Sequence, residues 1–145
     1  MTCRVHHERL QQNLATRAEV ATTMVKRVVG LLSKRFLREG EALIFLQCAS
    51  IHTCFMRFPI DVIFLKTDEH AECGMRNIAL VTPHAAPRTP HAAWSGVVVK
   101  VVQSMGAFRL AGAFGADMTI ELPAGLLEQV PTQPGDRLSI IPAHE

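Results

Sequence analysis

Apolar residues along this chain fall mostly in short blocks with the length of β-strands. ALIFLQCA (42–49) is a nearly unbroken run, consistent with a strand buried on both faces. SGVVVKVVQSM (95–105) is rich in valine and is the most strand-like piece. DMTIEL sets Met118, Ile120 and Leu122 on one face, RLSII turns Leu138 and Ile140 inward, and NLATRAEVA (13–21) alternates weakly. SIHTCFMRFPIDVIFL (50–65) reads as two strands or one bent strand, 50–57 and 60–65. Pro59 cannot donate to a ladder and so marks an edge, a bulge or a strand start.

One stretch has a different period. Val20, Met24, Val28, Leu32 and Phe36 recur every four residues, and Thr22 or Thr23 offers an N-cap hydroxyl, which predicts a helix over about 23–34. Gly30 near its centre suggests a close approach. REGE (38–41) and KTDEH (66–70) read as turns. A further strand is expected within 71–81, and 81–91 reads as a proline-rich loop holding His84 and His91. GAFRLAGAFGA (106–116) reads as a hairpin, and PAGLLEQV (123–130) as a helical turn burying Leu126, Leu127 and Val130. QPGD puts Pro134 and Gly135 at the centre of a type II turn. Many short strands and one clear helix predict a mostly-β sandwich or barrel.

Composition narrows the class. The chain of 145 residues has the size of one domain, taken as 1–145, with the first twelve residues expected as a disordered or loosely attached arm. It is 48% hydrophobic and 19% charged, a globular balance. Net charge is +2 and no run of five like charges occurs, so nucleic acid is not an expected partner. The N-terminus lacks the apolar core of a signal peptide and no apolar run of about 18 residues exists. A cytoplasmic protein without a membrane partner is expected. The four cysteines contain no C-x-x-C pair and read as reduced thiols, and no cofactor is expected.

Candidate chemistry concentrates in residues 50–65. On straight strands His52, Cys54 and Met56 share one face, while Thr53, Phe55 and Arg57 share the other, with Asp61 in the parity of Arg57. Asp61 is flanked by Ile60, Val62, Ile63, Phe64 and Leu65, so its carboxylate must find a donor or be pushed toward protonation. Cys48, His52 and Cys54 have types suited to zinc, but straight-strand spacing keeps Cys48 about 13 Å from His52 and no fourth ligand is evident. A Cys54–His52 thiolate–imidazole pair would be loose, with nothing else marking an oxyanion hole. A pocket lined by His52, Arg57 and Asp61 competes with a bland reading in which these residues are polar anchors bonded to backbone.

Three motifs resemble those of a bacterial and archaeal family, domain of unknown function 192. They are S-I-H-T-x-x-M-R-F-P-I-D-V-I-F-L, T-x-x-x-R-x-x-G-L-L (Thr23, Arg27, Gly30, Leu31, Leu32), and E-L-P-A-G (121–125) followed by P-G-D (134–136). The resemblance spans roughly residues 13–141. It implies a compact mostly-β fold with one short helix and no established activity. His52, Thr53, Met56, Pro59, Asp61, Arg27 and Gly30 fall on its motif positions. Two departures stand out: KTDEH replaces the expected D-x-x-G type turn, and the segment from residue 66 to ELPAG is longer than usual.

The leading expectation is a binding module for a small polar or anionic ligand, with His52, Thr53, Arg57 and Asp61 as candidate binding residues and Arg27 as a neighbour. His52 would donate to a ligand oxygen, Arg57 would supply fixed charge and Asp61 would orient one of them. One alternative is a hydrolase or isomerase with His52 as general base. Another is a dimeric DNA-binding regulator with a swapped-hairpin-like C-terminus. A homodimer pairing through the valine-rich 97–102 edge is a further option.

Overall fold

The computed structural model describes residues 1–21, 36–68 and 94–143. The helix expected over 23–34 lies outside them, as do the 71–81 strand, the 81–91 loop, Arg27, Gly30, Cys73, His84 and His91. Nine strands and one short helix are described: β1 (Thr2–His7), β2 (Gln12–Val20), β3 (Glu41–Leu46), β4 (Ser50–His52), β5 (Ile60–Thr67), β6 (Trp94–Met105), β7 (Leu110–Gly112), β8 (Met118–Pro123), α1 (Leu126–Gln129) and β9 (Arg137–Pro142).

Seven strands close a barrel in the order β1-β2-β3-β8-β5-β6-β9, and β4 pairs with β7 as a separate two-stranded flap. Every pairing is antiparallel except β2 with β3, where Arg17 to Val20 run alongside Glu41 to Ile44. A mostly-β barrel with a short helix is thus the observed class. The arm expected at the N-terminus is instead, over residues 2–7, a barrel strand. Cys3 to His7 pair with Leu138 to Pro142, and Cys3, Val5 and His7 are fully buried.

Alternation along the strands sorts the core into two layers. Ala42 and Ile44 of β3, Ile63 and Leu65 of β5, Met118, Ile120 and Leu122 of β8, and Leu138 and Ile140 of β9 fill the barrel. Leu43 and Phe45 of β3, and Ile60, Val62 and Phe64 of β5, form a second cluster with Ile51, Met56 and Met105. That cluster lies in the seam between the barrel wall and the flap. β3, β5 and β8 are therefore covered on both faces, which is why their sequences read as continuous apolar runs.

Three readings of the later chain change. GAFRLAGAFGA does not fold on itself: Leu110 to Gly112 pair with Ser50 to His52. The valine run 97–102 pairs with β5 along one side, while its other side meets β9 only at Val97 and the 135–136 turn at Val98. The C-terminal stretch is no swapped hairpin: β8 pairs with β3 and β5, whereas β9 pairs with β1 and β6. The type II turn is present. Asp136 N–H donates to the Gln133 carbonyl at 3.1 Å, across a Gly135 with φ 95°. At Gly96 a Cβ would lie 2.5 Å from the Lys66 carbonyl oxygen, so only glycine lets β5 and β6 come this close.

Candidate functional site

The 52–61 stretch is split by the barrel wall. β4 ends at His52, and the next residues turn, with Met56 N–H donating to the Thr53 carbonyl at 3.1 Å. The straight-strand parity assumed for 53–57 therefore does not apply. Phe55 sits at φ 63°, a left-handed conformation strained for an aromatic residue. A second turn answers it: Phe108, at φ 55°, packs edge-to-face on Phe55 with ring centres 5.5 Å apart.

Thr53 binds the two turns together. Its Oγ1 donates to the Gly106 carbonyl at 2.5 Å and accepts from Arg109 N–H at 2.9 Å, while its carbonyl accepts from Phe108 N–H at 3.1 Å. Thr53 is fully buried, and its hydroxyl both donates and accepts within the turn pair.

Asp61 points the other way. It shares the parity of Ile63 and Leu65, faces the barrel interior and is 0% exposed. Its two carboxylate oxygens accept from Ser104 N–H at 2.7 Å and from Leu127 N–H at 2.9 Å. The second contact satisfies an orphan donor in the first turn of α1, whose N-cap, Gly125, has no side chain to do so. His52 and Arg57 are exposed on the flap side. The structure therefore brings Thr53 to the turn pair and Asp61 to the barrel plug, with β5 between Asp61 and the flap.

On the other side of the barrel, the outer surface of β2, β1 and β9 holds a groove of about 860 Å³. Arg4, His6, Glu8, Arg9, Asn13, Asp136 and Arg137 are among its lining residues. The outward row of β1 (Arg4, His6, Glu8) is the complement of the buried row Cys3, Val5, His7.

Asp136, of the P-G-D turn, organises this groove. Its Oδ1 accepts from Arg9 Nε at 2.8 Å, and its Oδ2 accepts from Arg9 Nη2 at 3.0 Å, His7 Nε2 at 3.1 Å and Gln133 N–H at 3.0 Å. The bidentate Arg9 contact, joined by the Gln133 amide and His7, holds the Asp136 carboxyl well below the usual carboxylate range against the opposing effect of its burial. His7 is fully engaged, because its Nδ1 accepts from Leu10 N–H at 3.3 Å. His6 Nδ1 pairs with Asn13 Oδ1 at 3.0 Å, which leaves Nε2 as its acceptor toward the groove.

Both acids of the groove are engaged, whereas Arg4 and Arg137 keep donors without a hydrogen bond among the described residues. Glu8 Oε1 accepts from Ser139 Oγ at 2.7 Å. Arg137 donates through Nη2 to Asp68, but its Nε is buried without a hydrogen bond, 3.8 Å from Glu8 Oε2. Arg4 is exposed and makes no hydrogen bond or ion pair among the described residues. Spare donors beside engaged carboxylates favour an acceptor-rich ligand.

One further buried carboxyl stands apart. Glu121 of β8 points out of the barrel into the seam, between Leu43 and Val62 on the neighbouring strands. Its Oε2 has no hydrogen-bond partner among the described residues, and burial pushes the carboxyl up to about 7. Among the described residues no group of three or more His, Cys, Asp or Glu is arranged to hold a metal ion.

Comparison with known proteins gives a family and a fold. The model of the family DUF192, described as "Uncharacterized ACR", matches residues 5–140. No curated protein matches the chain. Two solved structures are similar. One is a protein of unknown function from Novosphingobium aromaticivorans DSM 12444, 18% identical, with a TM-score of 0.63 over 95% of this chain and 83% of that one. The other, from Sinorhizobium meliloti 1021, is described as a putative transcription regulator; it is 15% identical, with a TM-score of 0.66 over 95% of this chain and 91% of that one.

Proposed function

The chain belongs to the DUF192 family of uncharacterised proteins, and within that frame we propose that it is a binding module for a small anionic metabolite, held in the groove across β2, β1 and β9. The observation that carries this reading is the imbalance of hydrogen-bonding valence there. Among the described residues Asp136 takes four bonds, whereas the Arg4 guanidinium makes none and Arg137, bonded through Nη2, keeps its Nε without a hydrogen bond. A carboxylate or phosphate group supplies the missing acceptors, and Arg9, fixed by Asp136 and the Pro131 carbonyl, presents its remaining N–H groups without reorganising. A groove of this size admits a metabolite rather than a bare ion.

Calorimetric titration of the full chain with inorganic phosphate and with citrate tests the reading. Binding is expected, with Arg4→Ala weakening it about tenfold, the loss of one charge-assisted bond. Arg57→Ala, on the flap side, is expected to leave it unchanged. Absence of heat with both anions, or equal binding by Arg4→Ala, would overturn the proposal.

The second reading is acid–base chemistry on the bound ligand by His6, whose tautomer is set by Asn13 and whose Nε2 is left to the groove. In that case His6→Gln keeps ligand affinity and abolishes turnover of any substrate found by screening. The DNA-binding alternative, which the name of one structural neighbour also raises, draws no support from a net charge of +2.

A further inference from the structure

The segments that build the flap and its turns, 50–59 and 106–116, contain no aspartate or glutamate. They carry His52, Arg57 and Arg109, and Lys100 Nζ reaches in to donate to the Gly112 carbonyl at 3.0 Å. The nearest acid in the sequence, Asp117, is occupied by Lys66 at 3.0 Å. Four large apolar side chains stand on the same segments: Phe55, Phe108 and Leu110 are 67–80% exposed, and Phe114 is fully so.

These side chains are not failed core residues. Ile51, Met56 and Ala111 already fill the seam beneath the flap. Leu110 lies opposite His52 on the outward face of the two-stranded sheet. Phe55 and Phe108 are set outward by left-handed turns that the buried Thr53 bonds hold in place. A backbone conformation disfavoured for phenylalanine is thus maintained at two of the three projecting phenylalanines, Phe55 and Phe108.

We propose that this face docks on an anionic phospholipid surface, its apolar side chains entering the headgroup–acyl boundary while Arg57, Arg109 and Lys100 meet the lipid phosphates. Projecting apolar groups flanked by cations, with no acid among them, are what such an interface selects. A second copy of the chain fits less well, because a two-fold contact through this face brings together two sets of cations with no acid on these segments to offset them. Single-stranded nucleic acid fits less well too. Phe55 and Phe108 meet each other at 72°, and Leu110 offers no ring for a base to stack on. Among the described residues no helix is long and apolar enough to cross a membrane, and docking on a surface needs none. The proposal does not depend on the groove.

The test is co-sedimentation of the full chain with unilamellar vesicles of phosphatidylcholine, with and without phosphatidylserine. Partition onto the anionic vesicles alone is expected, weakening as salt rises. Leu110→Ser/Phe114→Ser is expected to lower the partition coefficient about tenfold or more, and Arg57→Gln/Arg109→Gln about tenfold. All four side chains are exposed, so circular dichroism of both variants should match the parent. No partition at low salt, or partition unchanged by Leu110→Ser/Phe114→Ser, overturns the proposal. So does tighter binding to single-stranded RNA than to vesicles, or a dimer in solution that Leu110→Ser/Phe114→Ser dissociates.

Discussion

Asp61 shows what a single residue's neighbours do and do not disclose. A carboxylate amid Ile60, Val62 and Ile63 must have donors, and that much is legible in the sequence. Which donors is not, because they are backbone amides 43 and 66 residues further along the chain. Asp61→Ala leaves both amides buried and unpaired and is expected to destabilise by about 3–5 kcal/mol in urea denaturation, without changing anion affinity in the groove. Glu121 is the complementary case, a carboxyl that the fold buries without a partner. Its folded pKa lies above its unfolded one, so the folded state binds more protons between about pH 4.5 and 7. Its contribution is therefore fully present below that window and declines as pH rises through about 7. Glu121→Gln should flatten this part of the stability–pH curve and raise stability at pH 8 by about 3 kcal/mol, measured by denaturation at successive pH values. Asp136 acts in the opposite sense and at lower pH. Its depressed pKa contributes stability above the unfolded value near 4, which is lost on further acidification.

At the level of elements, legibility followed burial. β3, β5, β6 and β8 were readable because two covered faces or a valine run leave little ambiguity. β1 was not: its outward half is Arg4, His6 and Glu8, and its inward half includes His7, so a barrel strand resembles a polar tail. The period-two alternation of Cys3 and Val5 with Arg4 and His6 was the signal available. The groove was missed for the same reason, since it is built on that strand. Removing residues 1–8 should cost far more than trimming an arm. It strips hydrogen-bonded neighbours from both β2 and β9 and removes the His7 contact to Asp136. Loss of cooperative unfolding, followed by circular dichroism on heating, is the expected result. The β4–β7 pairing was illegible from local pattern, because its two three-residue strands lie nearly sixty positions apart in the sequence.

The whole molecule has two unlike sides. The flap covers the β3–β8–β5–β6 wall, while the groove lies across β2–β1–β9. Arg4→Ala is accordingly expected to affect anions and not vesicles, and Leu110→Ser/Phe114→Ser the reverse, a separation that two titrations on the same preparations can read. The seam between β1 and β9 has a different kind of consequence. It joins the first and last described strands: Cys3 pairs with Pro142, and Ala143 N–H donates to the Thr2 carbonyl at 3.0 Å. On the ribosome β2 follows β1 at once, but the other edge of β1 waits for β9 to be synthesised. Throughout that wait its free N–H and C=O groups are a template for strand addition by any neighbouring nascent chain. The polar row of Arg4, His6 and Glu8 guards only one face of the waiting strand. Crowded polysomes are therefore where this fold is most exposed to misassembly, and a circular permutant that made β9 and β1 consecutive would be relieved of it.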